Sequence, residues 1–105
     1  INKMEKTIAG VNITLNDEGY LTDPTQWTED VAQEIAKEEG IELTPKHFEV
    51  LNYLREQFQA GESLSIRRVG NSGIANIKEL YQLFPGGPLK KSSRIAGIPK
   101  PASCV

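Results

Sequence analysis

TPKHFEVLNYLREQFQAG, residues 44–61, contains the start, the apolar stripe and the end of one helix. This helix is the best-defined element that the sequence predicts. Thr44 can cap the first turn, and Pro45 suits the first helical position, where the missing N–H has no helical partner to lose. Gly61 ends the helix. The apolar residues between them recur at helical spacing and are Phe48, Val50, Leu51, Leu54 and Phe58. We expect one small core to form around this stripe.

The upstream segments predict a hairpin and a second helix. Residues 5–15 form two β-branched runs about Ala9-Gly10, a pattern typical of a β-hairpin. Further along, Thr28 is placed to cap a helix that carries its own apolar stripe and ends at Gly40.

The downstream segments predict two or three short helices. Residues 65–69 could begin a helix or form an extended loop. Asn76 followed by Glu79 resembles a capping box, and residues 89–96 are predicted to form a short helix. The predicted core residues are Trp27, Ile35, Phe48, Leu51, Leu54, Leu80 and Phe84. The fold class is therefore α+β and mostly α-helical, with an N-terminal hairpin packed on a domain of four to five helices.

Length and composition indicate a single domain. The chain has 105 residues, of which 38% are hydrophobic and 25% charged, which is ordinary globular composition. The globular domain is predicted over residues 1–97. Pro99 and Pro101 favour an extended remainder, residues 98–105, which we interpret as a flexible C-terminal arm.

Several classes of protein are excluded by what the sequence lacks. No stretch approaches the roughly 18 consecutive apolar residues of a membrane span, and the start has no signal-peptide core. One cysteine and one histidine exclude an internal disulfide framework and a multi-cysteine zinc cluster. We expect a cytoplasmic protein with no metal and no bound cofactor.

Charge is distributed unevenly along the chain. The net charge is −2, but residues 1–61 carry −7 and residues 62–105 carry +5. The basic half suggests an anionic partner, or it is simply a solvated basic face. A helix-turn-helix DNA-binding module with Arg67, Arg68 and Lys78 is a minor alternative, and the acidic pI of about 5.4 argues against direct nucleic-acid binding.

Most residues that could act in catalysis or ligand binding do not occur in a known catalytic or binding motif. His47 has no nucleophile or carboxylate partner visible in the sequence, so a structural role at the helix start is favoured. Trp27, just before a capped helix, is interpreted as a core anchor. The sequence contains neither a serine-hydrolase elbow nor a phosphate-binding glycine loop.

Cys104 differs because it is the penultimate residue of the proline-bearing tail. A thiol on an extended arm can enter a partner's active site, and the thiolate is the nucleophilic form. Nearby cations increase the thiolate fraction, and the neighbouring terminal carboxylate decreases it. The candidates for thiolate stabilisation or partner docking are Arg94, Lys100, Lys90 and Lys91.

The tail also carries a recognisable signature. The segment LYQLFPGGPLKKSSRIAGIPKPASCV, residues 80–105, resembles the C-terminal region of the DsrC/TusE family, with its YxLFPxGP segment, RIAGxPKP helix and arm, and penultimate cysteine. The likeness extends upstream through residues 17–56, so it covers nearly the whole chain.

This resemblance implies a small helical protein with an N-terminal hairpin, a helix-turn-helix-like element and a mobile C-terminal arm. Members carry sulfur on the penultimate cysteine, here Cys104, which would make this chain a sulfurtransferase-type persulfide carrier. The implied partners are a TusBCD-like or DsrEFH-like sulfur donor and, as acceptor, a tRNA thiolase or a sulfite reductase. The covalent persulfide is the transferable group, so no cofactor is implied.

The resemblance leaves two branches open. DsrC proteins serve dissimilatory sulfite reductase and carry a second arm cysteine eleven positions before the penultimate one, where this chain has Ser93. TusE-like proteins relay persulfide sulfur toward 2-thiouridine in tRNA with one cysteine. Ser93 favours the TusE-like mode, whereas the compact segment between Gly61 and Tyr81 leans toward DsrC.

Overall fold

A computed structural model describes residues 4–101. Two strands, β1 (Met4–Ile8) and β2 (Val11–Leu15), are followed by a short 3-10 helix (Pro24–Gln26). The α-helices are α1 (Glu29–Glu38), α2 (Pro45–Gln59), α3 (Ile66–Gly70), α4 (Ile77–Leu83) and α5 (Pro88–Ile95). The predicted fold class, a hairpin with a mainly helical domain, is confirmed.

The hairpin forms where the sequence predicted it. β1 and β2 pair antiparallel, with Ile8 opposite Val11 across a turn made by Ala9 and Gly10. Both turn residues have positive φ, 52° for Ala9 and 77° for Gly10, which matches the right-handed twist of the flanking strands. Ile8 faces the core beside Ile13 on β2, so the hairpin covers one side of the helices.

Helices α1, α2 and α4 begin at their predicted caps, and α5 begins at Pro88, one residue before the predicted start. Thr28 accepts a hydrogen bond from the N–H of Val31, and Asn76 and Glu79 form a reciprocal capping box at the start of α4. The ambiguous residues 65–69 belong to a helix, α3, whose N-cap is Ser65, and the Ser65 side chain accepts the N–H of Arg68. α3, the turn after it and α4 pack together as the helix-turn-helix-like element.

The core lies between α5 and the helices that pack on it, α1, α2 and α4. Of the predicted core residues, Ile35, Leu51, Leu54, Leu80 and Phe84 are buried. Trp27 and Phe48 are only partly buried and pack against this cluster from its edge. The core continues through α5, and Ile98 is also buried, one residue beyond the predicted domain boundary at residue 97. That boundary stays a prediction.

The C-terminal end of α5 is closed by a glycine. Gly97 has φ +71°, and the N–H groups of Gly97 and Ile98 donate to the carbonyls of Arg94 and Ser93. This pair of bonds is a Schellman motif, which requires a left-handed residue at that point. The space is also closed to a side chain, since a Cβ on Gly97 would lie 2.5 Å from Cδ1 of Trp27.

We predict that Gly97→Ala destabilises the protein more than Gly73→Ala. Both glycines have positive φ, but a Cβ at Gly73 would meet no atom within 4 Å. Conformational strain alone should cost Gly73→Ala about 1 kcal/mol. Gly97→Ala adds the clash with Trp27, worth roughly 1–3 kcal/mol more. Urea denaturation measures both, and equal losses of unfolding free energy would show that the Trp27 contact is not restrictive.

Candidate functional site

The predicted basic residues gather around one open groove beside α5. Its volume is about 440 Å³, and we call it the α5 groove; the residues that line it are Glu18, Tyr20, Glu39, Gly86, Lys90, Lys91 and Arg94. Lys100 lies at its rim, where it binds Glu18. The structure therefore brings together all four predicted cations, Arg94, Lys100, Lys90 and Lys91.

Arg94 is the most completely engaged of the four. Its Nε donates to the carbonyl of Gly19 at 3.0 Å, and its two terminal nitrogens donate to Glu38 and Glu39 at 2.7 Å each. Burial by itself would lower the pKa of Arg94, but the hydrogen bonds to these carboxylates outweigh it and the pKa lies above its ordinary value. Arg94 thus fastens α5 to the end of α1 and to the turn before Tyr20.

The three lysines are arranged differently. Lys100 Nζ lies 2.8 Å from Oε2 of Glu18, and Lys91 Nζ lies 3.9 Å from Oε1 of Glu39. The Lys90 side chain is exposed at the groove, and its backbone carbonyl accepts a hydrogen bond from the Tyr20 hydroxyl at 3.0 Å. The cations of the groove are thus interleaved with carboxylates, and Lys90 presents its charge most openly to solvent.

Of the two other predicted site residues, the structure describes Ser93 but not Cys104. Cys104 lies outside the described residues. Ser93 lies inside α5 and is fully buried, and its Oγ finds no hydrogen-bond partner among residues 4–101. The roles predicted for Cys104, for the four cations and for position 93 stay predictions.

Sequence reasoning missed a contact pair that holds the end of α5. Trp27 Nε1 donates to the carbonyl of Ile95 at 2.8 Å, and Arg55 donates to the carbonyls of Ala96 at 2.9 Å and Pro24 at 3.1 Å. The guanidinium of Arg55 also stacks over the Trp27 ring, 4.3 Å from its centroid. The one available signal was an arginine flanked by the apolar stripe of α2.

His47 takes the structural role that the sequence favoured. Its Nδ1 accepts the N–H of Thr44 at 3.0 Å, and its Nε2 donates to the carbonyl of Leu83 at 2.8 Å. These two bonds require the neutral tautomer protonated at Nε2. The ring also meets Phe84 edge to face, so it joins the start of α2 to the end of α4.

The described part of the chain offers no cluster of three His, Cys, Asp or Glu side chains that could hold a metal ion. Between residues 4 and 101, no helix is long and apolar enough to cross a membrane.

Comparison with known proteins decides the family. A family model described as DsrC like protein matches residues 7–105. This chain belongs to the DsrC-like family. The sulfurtransferase TusE of Salmonella paratyphi A is 40% identical over 104 residues, which cover 91% of this chain and 95% of that protein. The TusE of Escherichia coli K12 is 38% identical over the same shares.

Solved structures of the family have the same fold. The NMR structure of Allochromatium vinosum DsrC has a TM-score of 0.84 at 33% identity, and covers 98% of this chain and 99% of that one. The oxidized gamma-subunit of dissimilatory sulfite reductase (DsrC) from Archaeoglobus fulgidus has a TM-score of 0.80 at 34% identity, and covers 97% and 100%. The family resemblance read from the tail is confirmed.

We predict that Ser93→Ala raises the free energy of unfolding by about 1 kcal/mol, because it removes a buried hydroxyl that lacks a partner. Ser92→Ala is the matched control. It has the same gain in helix propensity but loses the bond from Ser92 Oγ to the carbonyl of Leu89. Urea denaturation of both variants checks this, and a larger loss in Ser93→Ala than in Ser92→Ala would contradict it.

We predict that Lys100→Met raises the pKa of Glu18. The hydrogen bond from Lys100, followed by its charge, now holds that pKa below its ordinary value, and Lys90 contributes least. Carboxyl-detected NMR titration should show a clear rise for Lys100→Met and almost none for Lys90→Met. Because the folded pKa is lowered, the pair stabilises the protein above the unfolded pKa of Glu18. That contribution is lost as pH falls through the folded pKa. Equal shifts in both variants would contradict the assignment.

Proposed function

We propose that this protein is a sulfurtransferase-type sulfur carrier, in which Cys104 accepts and passes on persulfide sulfur. The observation that carries the proposal is the family match over residues 7–105, which includes the one cysteine of the chain, together with relatives named sulfurtransferase TusE that are about 40% identical. The protein is a stoichiometric component of a relay rather than an enzyme that turns over alone.

The transfer step needs no external oxidant or reductant. The Cys104 thiolate attacks the outer sulfur of a donor persulfide, and a new S–S bond forms on Cys104. The bond between that sulfur and the donor cysteine breaks, and the donor cysteine leaves as a thiolate. This thiolate takes up the proton that the Cys104 thiol lost when it ionised. An acceptor thiol then attacks the outer sulfur on Cys104 in the same way, and Cys104 leaves as a thiolate. No cofactor takes part.

Ser93 supports a single-thiol mode. A serine cannot form a disulfide with Cys104, so discharge must finish on a partner protein. The side chain is also buried within α5. This favours a TusE-like relay toward 2-thiouridine in tRNA, with a TusBCD-like donor and a tRNA thiolase as acceptor.

A DsrC-type role is the second candidate. The folds that match at TM-scores of 0.84 and 0.80 are DsrC proteins, one of them described as a gamma-subunit of dissimilatory sulfite reductase. In that role the chain would take sulfur from a DsrEFH-like donor or bind a sulfite reductase. Co-purification with a siroheme protein distinguishes this role from the relay.

The α5 groove is proposed as part of the docking surface for these partners. Lys90 and Lys91 offer positive charge to an acidic partner surface beside the start of the arm. Arg94 supports them by holding α5 against Glu38 and Glu39. Lys100, which belongs to the arm and is bound to Glu18, contributes the charge nearest to Cys104 along the chain.

The remaining expectations follow the same proposal. We place the relay in the cytoplasm, where a reducing environment keeps a lone carrier thiol from being trapped as a disulfide. A DNA-binding role for α3 and α4 is less well supported, because Arg68 pairs with Glu62 at 3.3 Å and donates to Gln57.

We predict that the reduced protein gains one sulfur atom on the Cys104 peptide when it is incubated with a sulfur-loaded TusBCD-type donor complex. Intact mass and peptide mapping measure the gain, which a reductant should remove. Cys104→Ser is the control and should gain nothing. A wild-type protein with a free thiol that stays unmodified would overturn the TusE-like relay, and equal gain by Cys104→Ser would overturn the assignment of the cysteine.

A further inference from the structure

We infer that Arg55 and Trp27 form a clamp that sets the direction in which the C-terminal arm leaves the domain, and that protein-to-protein sulfur transfer depends on this clamp. The inference rests on the proposed carrier function and adds to it two positioning residues. Neither residue needs to touch the sulfur, because both act through the backbone at the end of α5.

The clamp holds successive carbonyls of the chain just before the arm. Trp27 Nε1 donates to Ile95 O at 2.8 Å, and Arg55 donates to Ala96 O at 2.9 Å. Gly97 then lies directly against the indole, so close that a Cβ there would overlap Trp27. The carbonyls at a helix end have no helical partner, and here each of these two finds a side-chain donor.

An arginine suits this position for a geometric reason. One guanidinium nitrogen donates to Ala96 O, the other donates to Pro24 O, and the planar face covers the Trp27 ring at 4.3 Å. The single group thus joins three segments: α2, the 3-10 helix before Trp27 and the end of α5. A lysine ammonium is a compact charge without a planar fork, so it cannot bridge and stack at once.

A fixed exit direction matters for an arm that must enter a partner. Ordering a free segment on binding costs conformational entropy, and a segment held in its productive direction loses less. The clamp ends at Gly97, and Ile98 after it is buried at 1% exposure. The arm therefore starts from a rigid base formed by α2, α5 and Trp27.

A purely structural role would give a different result. If the clamp only stabilised the fold, its removal would lower the free energy of unfolding but leave the folded protein equally active with every sulfur donor. If it positions the arm, the loss should appear with a protein donor, which requires docking. Inorganic polysulfide, which needs no docking, should load Cys104 at an unchanged rate. The Cys104 thiolate attacks the terminal sulfur of the polysulfide and forms an S–S bond with it, the next S–S bond of the polysulfide breaks, and a polysulfide dianion shorter by one sulfur leaves.

The test compares these two donors on three clamp variants and one control. Arg55→Met removes the clamp bonds and keeps an unbranched apolar stem, and Arg55→Lys keeps the charge without the fork. Trp27→Phe removes the Nε1 donor and keeps a smaller aromatic ring. Lys46→Met is the matched control, because Lys46 is another cation of α2 that donates to a backbone carbonyl, that of Ile74. Folding is checked by thermal denaturation, and Arg55→Lys and Trp27→Phe carry the test if Arg55→Met does not fold.

The expected result is a change in the ratio of the two rates. The rate constant for transfer from a sulfur-loaded TusBCD-type donor complex should fall about tenfold in Arg55→Met. The polysulfide rate should stay at the wild-type value. Arg55→Lys and Trp27→Phe should lie between Arg55→Met and wild type, and Lys46→Met should match wild type. NMR order parameters of the Gly97 and Ile98 amides should fall in Arg55→Met from about 0.85 to below about 0.6.

The other outcomes are distinct. An unchanged ratio of the two rates in all folded clamp variants would overturn the inference while leaving the carrier function intact. A parallel fall of both rates would also overturn it, because the effect would then be on the thiol itself. A wild-type protein that takes sulfur from neither donor would overturn the carrier function, and the inference with it.

Discussion

The packing of this domain depends most on the hydrogen bonds at the C-terminal end of α5. A helix that stops at a glycine leaves carbonyl groups without helical partners, and a buried helix end must find donors for them. Trp27 and Arg55 supply those donors from two elements that are far from α5 in the chain. In doing so they tie the 3-10 segment and α2 to α5, so the core closes around the helix that leads into the arm.

A second layer of contacts fixes α5 from its other side. Arg94 binds Glu38 and Glu39 at the end of α1 and the carbonyl of Gly19, which joins the acidic and basic halves of the chain. Part of the opposite charge of the two halves is therefore neutralised by ion pairs within the molecule. The α5 groove is open to solvent, and Lys90 has the greatest exposure among its clustered cations.

Much of the fold was predictable because its signals are local. Thr28, Thr44 and Asn76 cap their helices through N–H groups only three residues away. The hairpin turn depends on two adjacent residues. Residues 65–69 were ambiguous, since one short helix with a single serine cap has little local preference, and packing against α4 decided it. Trp27 was expected in the core but lies at its edge, where its N–H reaches a carbonyl of α5.

The family, the starts of α1, α2 and α4 and the penultimate position of Cys104 could be predicted from the sequence, because motifs and caps depend on neighbouring residues. Which cations are engaged and which are open followed only from the packing of the helices. Arg94 meets Glu39 across 55 positions of sequence, and Arg55 meets Ala96 across 41. Such contacts depend on how the helices pack, and no local pattern records them. The clamp of Arg55 and Trp27 could not be predicted for the same reason. The sequence around an arginine on a helix does not show whether its side chain faces water or binds the end of another helix.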